Sequence, residues 1–163
     1  MSNYGKFIFL DRDGVLNKKP KEGKYLSRVE DIEWKEGSLE GLAILNKKKY
    51  KTIVVTNQAG IGKGLVSKET VNDIHLNMSN KAKSFGGSLD YFYICPHRPE
   101  DSCSCRKPLV GLFLKAQKEL NLDFSNMYFI GDQDTDKEAA NKLKINYINL
   151  EPNKKLSDIV KLI

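Results

Sequence analysis

The 163 residues are 40% hydrophobic and 29% charged, which excludes a disordered or fibrous chain and supplies core for one domain over 1–163. No apolar run is long enough to span a bilayer and residues 1–6 lack the apolar core and cleavage site of a signal peptide, so a cytoplasmic monomer with no membrane partner is expected. The net charge of +6 comes from scattered lysines such as Lys47, Lys142 and Lys154, without an arginine-rich stripe and interleaved aromatics, and so reads as solvated surface rather than a nucleic-acid interface.

Residues 6–10, Lys-Phe-Ile-Phe-Leu, read as a buried strand. Asp11-Arg12-Asp13-Gly14 follows. If the chain stays extended, Asp11 and Asp13 share a face, where two carboxylates repel unless a cation or a proton lies between them. That suits a Mg²⁺ site or an acid beside a nucleophile; the alternative is a polar turn. An irregular stretch with Pro20, Gly23, Tyr25 and Trp34 leads to a helix over 38–49. A strand over 52–55 runs into Thr56-Asn57-Gln58-Ala59-Gly60. There a hydroxyl and backbone N–H groups can hold an anion, unless the stretch is a flexible loop. Ser67 reads as the N-cap of a helix carrying Val71, Ile74, His75 and Met78. His75 fits that pattern as a partly buried helix residue rather than a ligand.

A strand over 89–94 precedes an irregular segment, 96–108, and a helix over 109–120. A strand over 127–130 ends in Gly131-Asp132-Gln133-Asp134-Thr135-Asp136, before a helix over 136–143, a strand over 145–150 and a helix over 156–163. Alternating buried strands and helices predict an α/β fold with a doubly wound, mainly parallel sheet. Its strand C-termini would lie on one edge, bringing Asp132 to Asp11 and Asp13 as a hard-cation site of the Mg²⁺ type. Asp134 reads as a helix N-cap. Asp136 either caps that helix or orients a metal-bound water from behind the ligands.

All three cysteines, Cys95, Cys103 and Cys105, fall in one short stretch with His97. Three thiolates and an imidazole form a structural zinc set, closed at four ligands, that shapes the loop without doing chemistry. An odd cysteine count in a reducing compartment argues against disulfides. Arg106 and Lys107 follow directly. A cation pair on a metal-tied loop can hold a phosphoryl group, with Arg106 as a fork and Lys107 as a point charge.

Taken together, Asp-x-Asp-Gly, Thr56, Lys107 and Gly-Asp-x-x-x-Asp resemble the haloacid dehalogenase-like phosphohydrolases in order and strand placement. The Cys-Pro-His and Cys-x-Cys-Arg-Lys-Pro segments resemble the branch that holds heptose 1,7-bisphosphate 7-phosphatases and histidinol-phosphatase domains. The resemblance implies a Rossmann-like core without a separate cap domain, a zinc loop, and Mg²⁺-dependent hydrolysis of a small sugar phosphate. It implies Asp11 as nucleophile, Asp13 as the proton-carrying acid and base, and Thr56 and Lys107 as phosphoryl-oxygen binders. Mg²⁺ would be held by Asp11, Asp132 and the backbone carbonyl of Asp13, and zinc by Cys95, His97, Cys103 and Cys105. Asn57, Gln58, Ala59 and Arg106 would meet substrate. Gln133 stands where the heptose enzymes usually have Lys, and the short His97-to-Cys103 spacer is similar to the histidinol-phosphatase domain. The heptose bisphosphate is the expected substrate, histidinol phosphate the alternative; a polynucleotide 3′-phosphatase and a phospho-receiver module are the more distant rivals.

Overall fold

The computed structural model describes residues 5–163; the signal-peptide reading of 1–6 therefore lies mostly outside the described residues. Five parallel strands form one sheet in the order β3-β2-β1-β4-β5. They are β1 (Lys6–Leu10), β2 (Tyr50–Asn57), β3 (Tyr91–Cys95), β4 (Tyr128–Gly131) and β5 (Asn146–Asn149). The helices are α1 (Ser38–Lys47), α2 (Ala59–Gly62), α3 (Lys68–Ser84), α4 (Gly111–Leu120), α5 (Asp134–Leu143) and α6 (Leu156–Val160). No described helix is long and apolar enough to cross a membrane.

Alternation along the strands divides the core in two. Ile8, Leu10, Val54 and Ile130 face one layer, packed with Leu42 and Leu45 of α1, Ile74 and Met78 of α3, and Leu156 and Val160 of α6. Phe9, Ile53, Val55 and Phe129 face the other, against Phe113 and Ala116 of α4 and Ala139 and Ala140 of α5. Phe113 meets Phe9 and Phe129 edge-on, with ring centroids 4.9 and 5.2 Å apart, and fully burying each such ring contributes about 1.5–3 kcal/mol. The expected doubly wound α/β core is present, and the described residues form no second sheet.

Element ends differ where side chains replace backbone partners. β3 starts at Tyr91 rather than residue 89. Asp90 Oδ2 accepts from the Thr52 amide at 2.9 Å, and the Asp90 amide donates to Thr52 Oγ1 at 3.1 Å, standing in for ladder bonds. α2 was not expected, because its four residues include two glycines; the Gly60 carbonyl accepts from Leu65 N–H at 2.9 Å and closes the turn. Ser67 caps α3 as expected, its Oγ accepting from Thr70 N–H at 3.0 Å. The N-cap of α5 is Gln133, not Asp134, which lies in the first turn.

β1 pairs with β2 on one side and β4 on the other. The chain reverses its winding there, so a crevice opens beyond the C-terminal ends of β1 and β4, where such sheets bind ligands.

Candidate active site

The residues at that crevice come from the ends of β1, β2 and β4 and the loop after β3. A cleft of about 200 Å³ is lined by Asp11, Asp13, Thr56, Asn57, Arg106, Lys107, Gln133 and Asp136, with residues 19–25 as its outer wall. That wall belongs to the irregular stretch after Asn17.

Asp11 leaves β1 with its amide bonded to the Ile130 carbonyl at 3.0 Å, so β4 holds it against the sheet. Lys107 reaches under it. The ammonium donates to Asp11 Oδ1 at 2.9 Å and to the Val55 carbonyl at 2.8 Å, and pairs with Asp136 Oδ1 at 2.8 Å. Lys107 is 4% exposed and Asp136 1%. Burial by itself would push the ammonium down, but Asp11 and Asp136 outweigh it and the Lys107 pKa is raised. Asp136 Oδ2 accepts from the amides of Asp132 and Gln133 at 3.2 and 3.3 Å. Asp136 is thus committed to Lys107 and to the start of α5.

Asp11, Asp132 and Asp136 each bring a carboxylate oxygen within 4.8 Å of the others. Asp132 Oδ1 is buried with no hydrogen-bond partner. Burial, then Asp136 and Asp13 against the pull of Lys107, pushes the Asp11 carboxyl up to about 8. Asp132 is raised as well, by burial first, with Lys19 at 3.6 Å opposing. An orphaned carboxylate oxygen beside a second carboxylate whose charge burial penalises is a place for a hard cation. The residues fit Mg²⁺, with Asp11 and Asp132 as its side-chain ligands. Gly14 makes room for this pairing. Its φ is +89°, and a Cβ there would sit 2.2 Å from Asp132 Oδ2.

Asp13 differs from expectation. The motif implied a carboxyl carrying a proton, yet the structure surrounds it with donors. Arg12 Nε and Nη2 reach Oδ1 at 3.0 and 2.9 Å, Asn17 Nδ2 reaches Oδ1 at 2.9 Å, and Gln58 Nε2 reaches Oδ2 at 3.1 Å. Burial would raise Asp13; the Arg12 charge and these hydrogen bonds overcome it, and the pKa is lowered. The cause is Arg12, 1% exposed, whose guanidinium turns back onto its own neighbour. The sequence does not mark Arg12, because the fold alone brings its guanidinium onto Asp13.

The β2 end also uses its side chains inwardly. Thr56 Oγ1 accepts from Gln58 Nε2 at 2.9 Å, so Gln58 bridges Thr56 and Asp13. Gln58 and Ala59, expected at the substrate, are both buried. The Asn57 side chain lines the cleft but pairs with the Lys107 backbone, accepting from its amide at 3.0 Å and donating to its carbonyl at 3.1 Å. Arg106 lines the cleft as expected.

Beside the cleft, Cys95, His97, Cys103 and Cys105 bring their ligand atoms within 4.8 Å of one another. Cys95 and Cys103 sulfurs are 3.9 Å apart, and His97 Nδ1 lies 3.5 and 3.1 Å from the Cys95 and Cys105 sulfurs. A tetrahedral zinc with Zn–S near 2.3 Å gives ligand-to-ligand edges of about 3.8 Å, so the set fits zinc. Burial, opposed by a backbone hydrogen bond and reinforced by the other two sulfurs, pushes the Cys95 thiol up to about 12. A cation is what would let such a thiol ionise. All three cysteines are free of disulfides.

Comparison with known proteins matches residues 6–154 to the profile of the polynucleotide kinase 3 phosphatase family. A histidine biosynthesis bifunctional protein HisB from Blochmanniella floridana is 40% identical over 143 residues, which are 88% of this chain and 40% of that protein. A D-glycero-beta-D-manno-heptose-1,7-bisphosphate 7-phosphatase from Photorhabdus laumondii is 36% identical over 145 residues, covering 85% of this chain and 76% of the relative. The crystal structure of a D,D-heptose 1,7-bisphosphate phosphatase from Bordetella bronchiseptica, complexed with magnesium and phosphate, superposes with a TM-score of 0.90 at 27% identity, covering 96% of this chain and 97% of that one.

Proposed function

The chain belongs to the polynucleotide kinase 3 phosphatase family, and from that premise we propose that it is a Mg²⁺-dependent phosphomonoester hydrolase that removes the 7-phosphate of D-glycero-D-manno-heptose 1,7-bisphosphate. The observation that carries this is Asp11. It is a buried carboxylate at a strand end, held by Lys107 and set beside the partnerless oxygen of Asp132. The names of its heptose-phosphatase relatives support the substrate.

In this reading Asp11 attacks phosphorus in line. The P–O bond to the sugar breaks, an aspartyl phosphate forms, and the departing alkoxide takes a proton from Asp13. Water then attacks the same phosphorus, Asp13 takes its proton, and Asp11 is released with inorganic phosphate. When bound, Mg²⁺ would sit on Asp11, Asp132 and the Asp13 carbonyl and neutralise charge between nucleophile and phosphate. Lys107 keeps Asp11 in place and adds positive charge where phosphoryl oxygens gather, and the Thr56 hydroxyl donates to one of them. Ionised Asp13 suits the second step, as base; for the first it must take up a proton against Arg12. Arg106 and the 19–25 wall contact the sugar and its other phosphate. Zinc on the cysteine loop fixes the segment carrying Arg106 and Lys107. We place the enzyme in the cytoplasm, as a monomer acting through one catalytic unit.

The identity to a bifunctional histidine-biosynthesis protein supports histidinol phosphate as the second reading. A phosphate-release assay with Mg²⁺ separates them, using both heptose 1,7-bisphosphate anomers, histidinol phosphate and a 3′-phosphorylated oligonucleotide. One heptose anomer should be preferred at least tenfold over the other substrates, with Asp11→Asn inactive. Faster release from histidinol phosphate or the oligonucleotide would reassign the substrate, and full activity of Asp11→Asn would end the hydrolase reading.

A further inference from the structure

α3 contributes a histidine that the proposed chemistry does not use. His75 is 4% exposed and its ring stacks on Phe92 of β3, with centroids 4.3 Å apart and planes at 12°. Its Nε2 lies 3.1 Å from Arg12 Nη1. A guanidinium nitrogen has only hydrogens to offer, so His75 Nε2 is the acceptor and the ring proton resides on Nδ1. That Nδ1 is buried with no partner. A Leu or Met here would pack against Phe92 and remove the orphaned ring nitrogen, but would leave Arg12 Nη1 buried without its acceptor. What the imidazole provides and they cannot is the acceptor for Arg12.

Arg12 turns its Nε and Nη2 donors on Asp13, Nε to Oδ1 at 3.0 Å and Nη2 to both oxygens at 2.9 and 3.1 Å. A guanidinium is rigid and planar, so anchoring Nη1 on His75 fixes the direction of the edge that grips Asp13. We propose that His75 is a positioning residue for the hydrolase reaction: its Nε2 anchors Arg12, and Arg12 in turn sets the orientation of the Asp13 carboxylate toward the cleft. The chain of contacts runs from the sheet-facing side of α3 to the acid–base residue, linking residues 63 positions apart. Sequence periodicity could place His75 on the buried face of a helix, but could not show what its nitrogen meets.

The inference rests on the phosphatase reading for its kinetic consequence and on geometry alone for its anchor, so two measurements are made. In the first, p-nitrophenyl phosphate hydrolysis with saturating Mg²⁺ is compared for wild type, His75→Phe and His75→Gln, each checked for native folding by its thermal melt. Phe keeps the stacking but has no acceptor, whereas the Gln side-chain oxygen can accept from Arg12. Since a placed acid–base group contributes on the order of 10²- to 10⁴-fold, kcat should fall about tenfold or more in His75→Phe with KM changed less than about twofold. His75→Gln should recover most of that loss. Unchanged kcat in His75→Phe, or equal losses in both variants, would overturn the proposal. The second measurement is the long-range nitrogen–proton NMR spectrum of the wild-type imidazoles, which needs no activity. The proposal requires His75 as the Nδ1–H tautomer with Nε2 accepting. An Nε2–H tautomer would overturn it, and absence of hydrolysis by wild type would remove the phosphatase reading while the tautomer still judges the anchor.

Discussion

Gly14 offers a substitution whose cost can be worked out from distances. In Gly14→Ala the new Cβ would lie 2.2 Å from Asp132 Oδ2 and 2.6 Å from its carboxyl carbon, where ordinary contact begins at 3.4 Å. Asp132 must therefore retreat by about 1 Å, and a misplacement of that size costs roughly a hundredfold in rate when it moves a group the chemistry depends on. Separately, φ of +89° is backbone that an alanine adopts at a cost of about 1–2 kcal/mol. In a chain of this length that lowers Tm by about 2–8 °C. Gly86→Ala separates the two effects, because Gly86 has φ of +81° and nothing within 4 Å of its would-be Cβ. The assay is Mg²⁺-titrated phosphate release together with thermal melts of both variants. Both should melt lower than wild type. Only Gly14→Ala should lose about a hundredfold in activity at low Mg²⁺, with the Mg²⁺ midpoint moved to higher concentration. Wild-type Mg²⁺ dependence in Gly14→Ala would mean that Asp132 does not hold the cation.

Three further outcomes follow from the same geometry. Lys107→Met leaves Asp11 and Asp136 buried without their shared cation; chemical denaturation should show a loss of about 3–5 kcal/mol, and a loss below about 1 kcal/mol would contradict the buried triad. Elemental analysis should find about one zinc per chain, and Cys105→Ser should lower both zinc content and melting temperature; a metal-free preparation with an unchanged melt would contradict the closed four-ligand site. His75 is held down to about 3, by burial first and then by Arg12. The unfolded chain takes up that proton near pH 6.5, so stability is lost as pH falls from there toward 3. Wild type should lose about 2 kcal/mol more than His75→Gln between pH 8 and pH 5, and equal losses in urea melts would refute the assignment.

What the sequence made legible, and what it hid, divides along a physical line. The strands were readable because Phe7 to Leu10 and Ile53 to Val55 are continuous apolar runs of a sheet covered on both faces. Once those strands are parallel, Asp11 and Asp132 must fall on one edge, so the convergence of their carboxylates followed from order alone. The zinc set was legible because all the cysteines lie within eleven residues of one another. The direction of side chains at irregular turns was not. Asn57 and Gln58 sit in the expected stretch, yet they turn toward the Lys107 backbone and Asp13. Arg12 folds back on Asp13 and reaches His75, contacts that depend on where α3 packs. Residue type singles out Asp13, but the neighbours that hold its carboxyl down, Arg12 first, come together only in the fold.

On the proposed mechanism Asp11 carries the phosphoryl group between two in-line displacements. The most direct test is the stereochemistry at phosphorus during Mg²⁺-dependent hydrolysis of an oxygen-isotope-labelled chiral phosphorothioate monoester, whose thiophosphate product is itself chiral. Each displacement inverts the centre, so transfer to Asp11 and then to water gives net retention. Net inversion would mean that water attacks the substrate directly and that Asp11 is not the nucleophile.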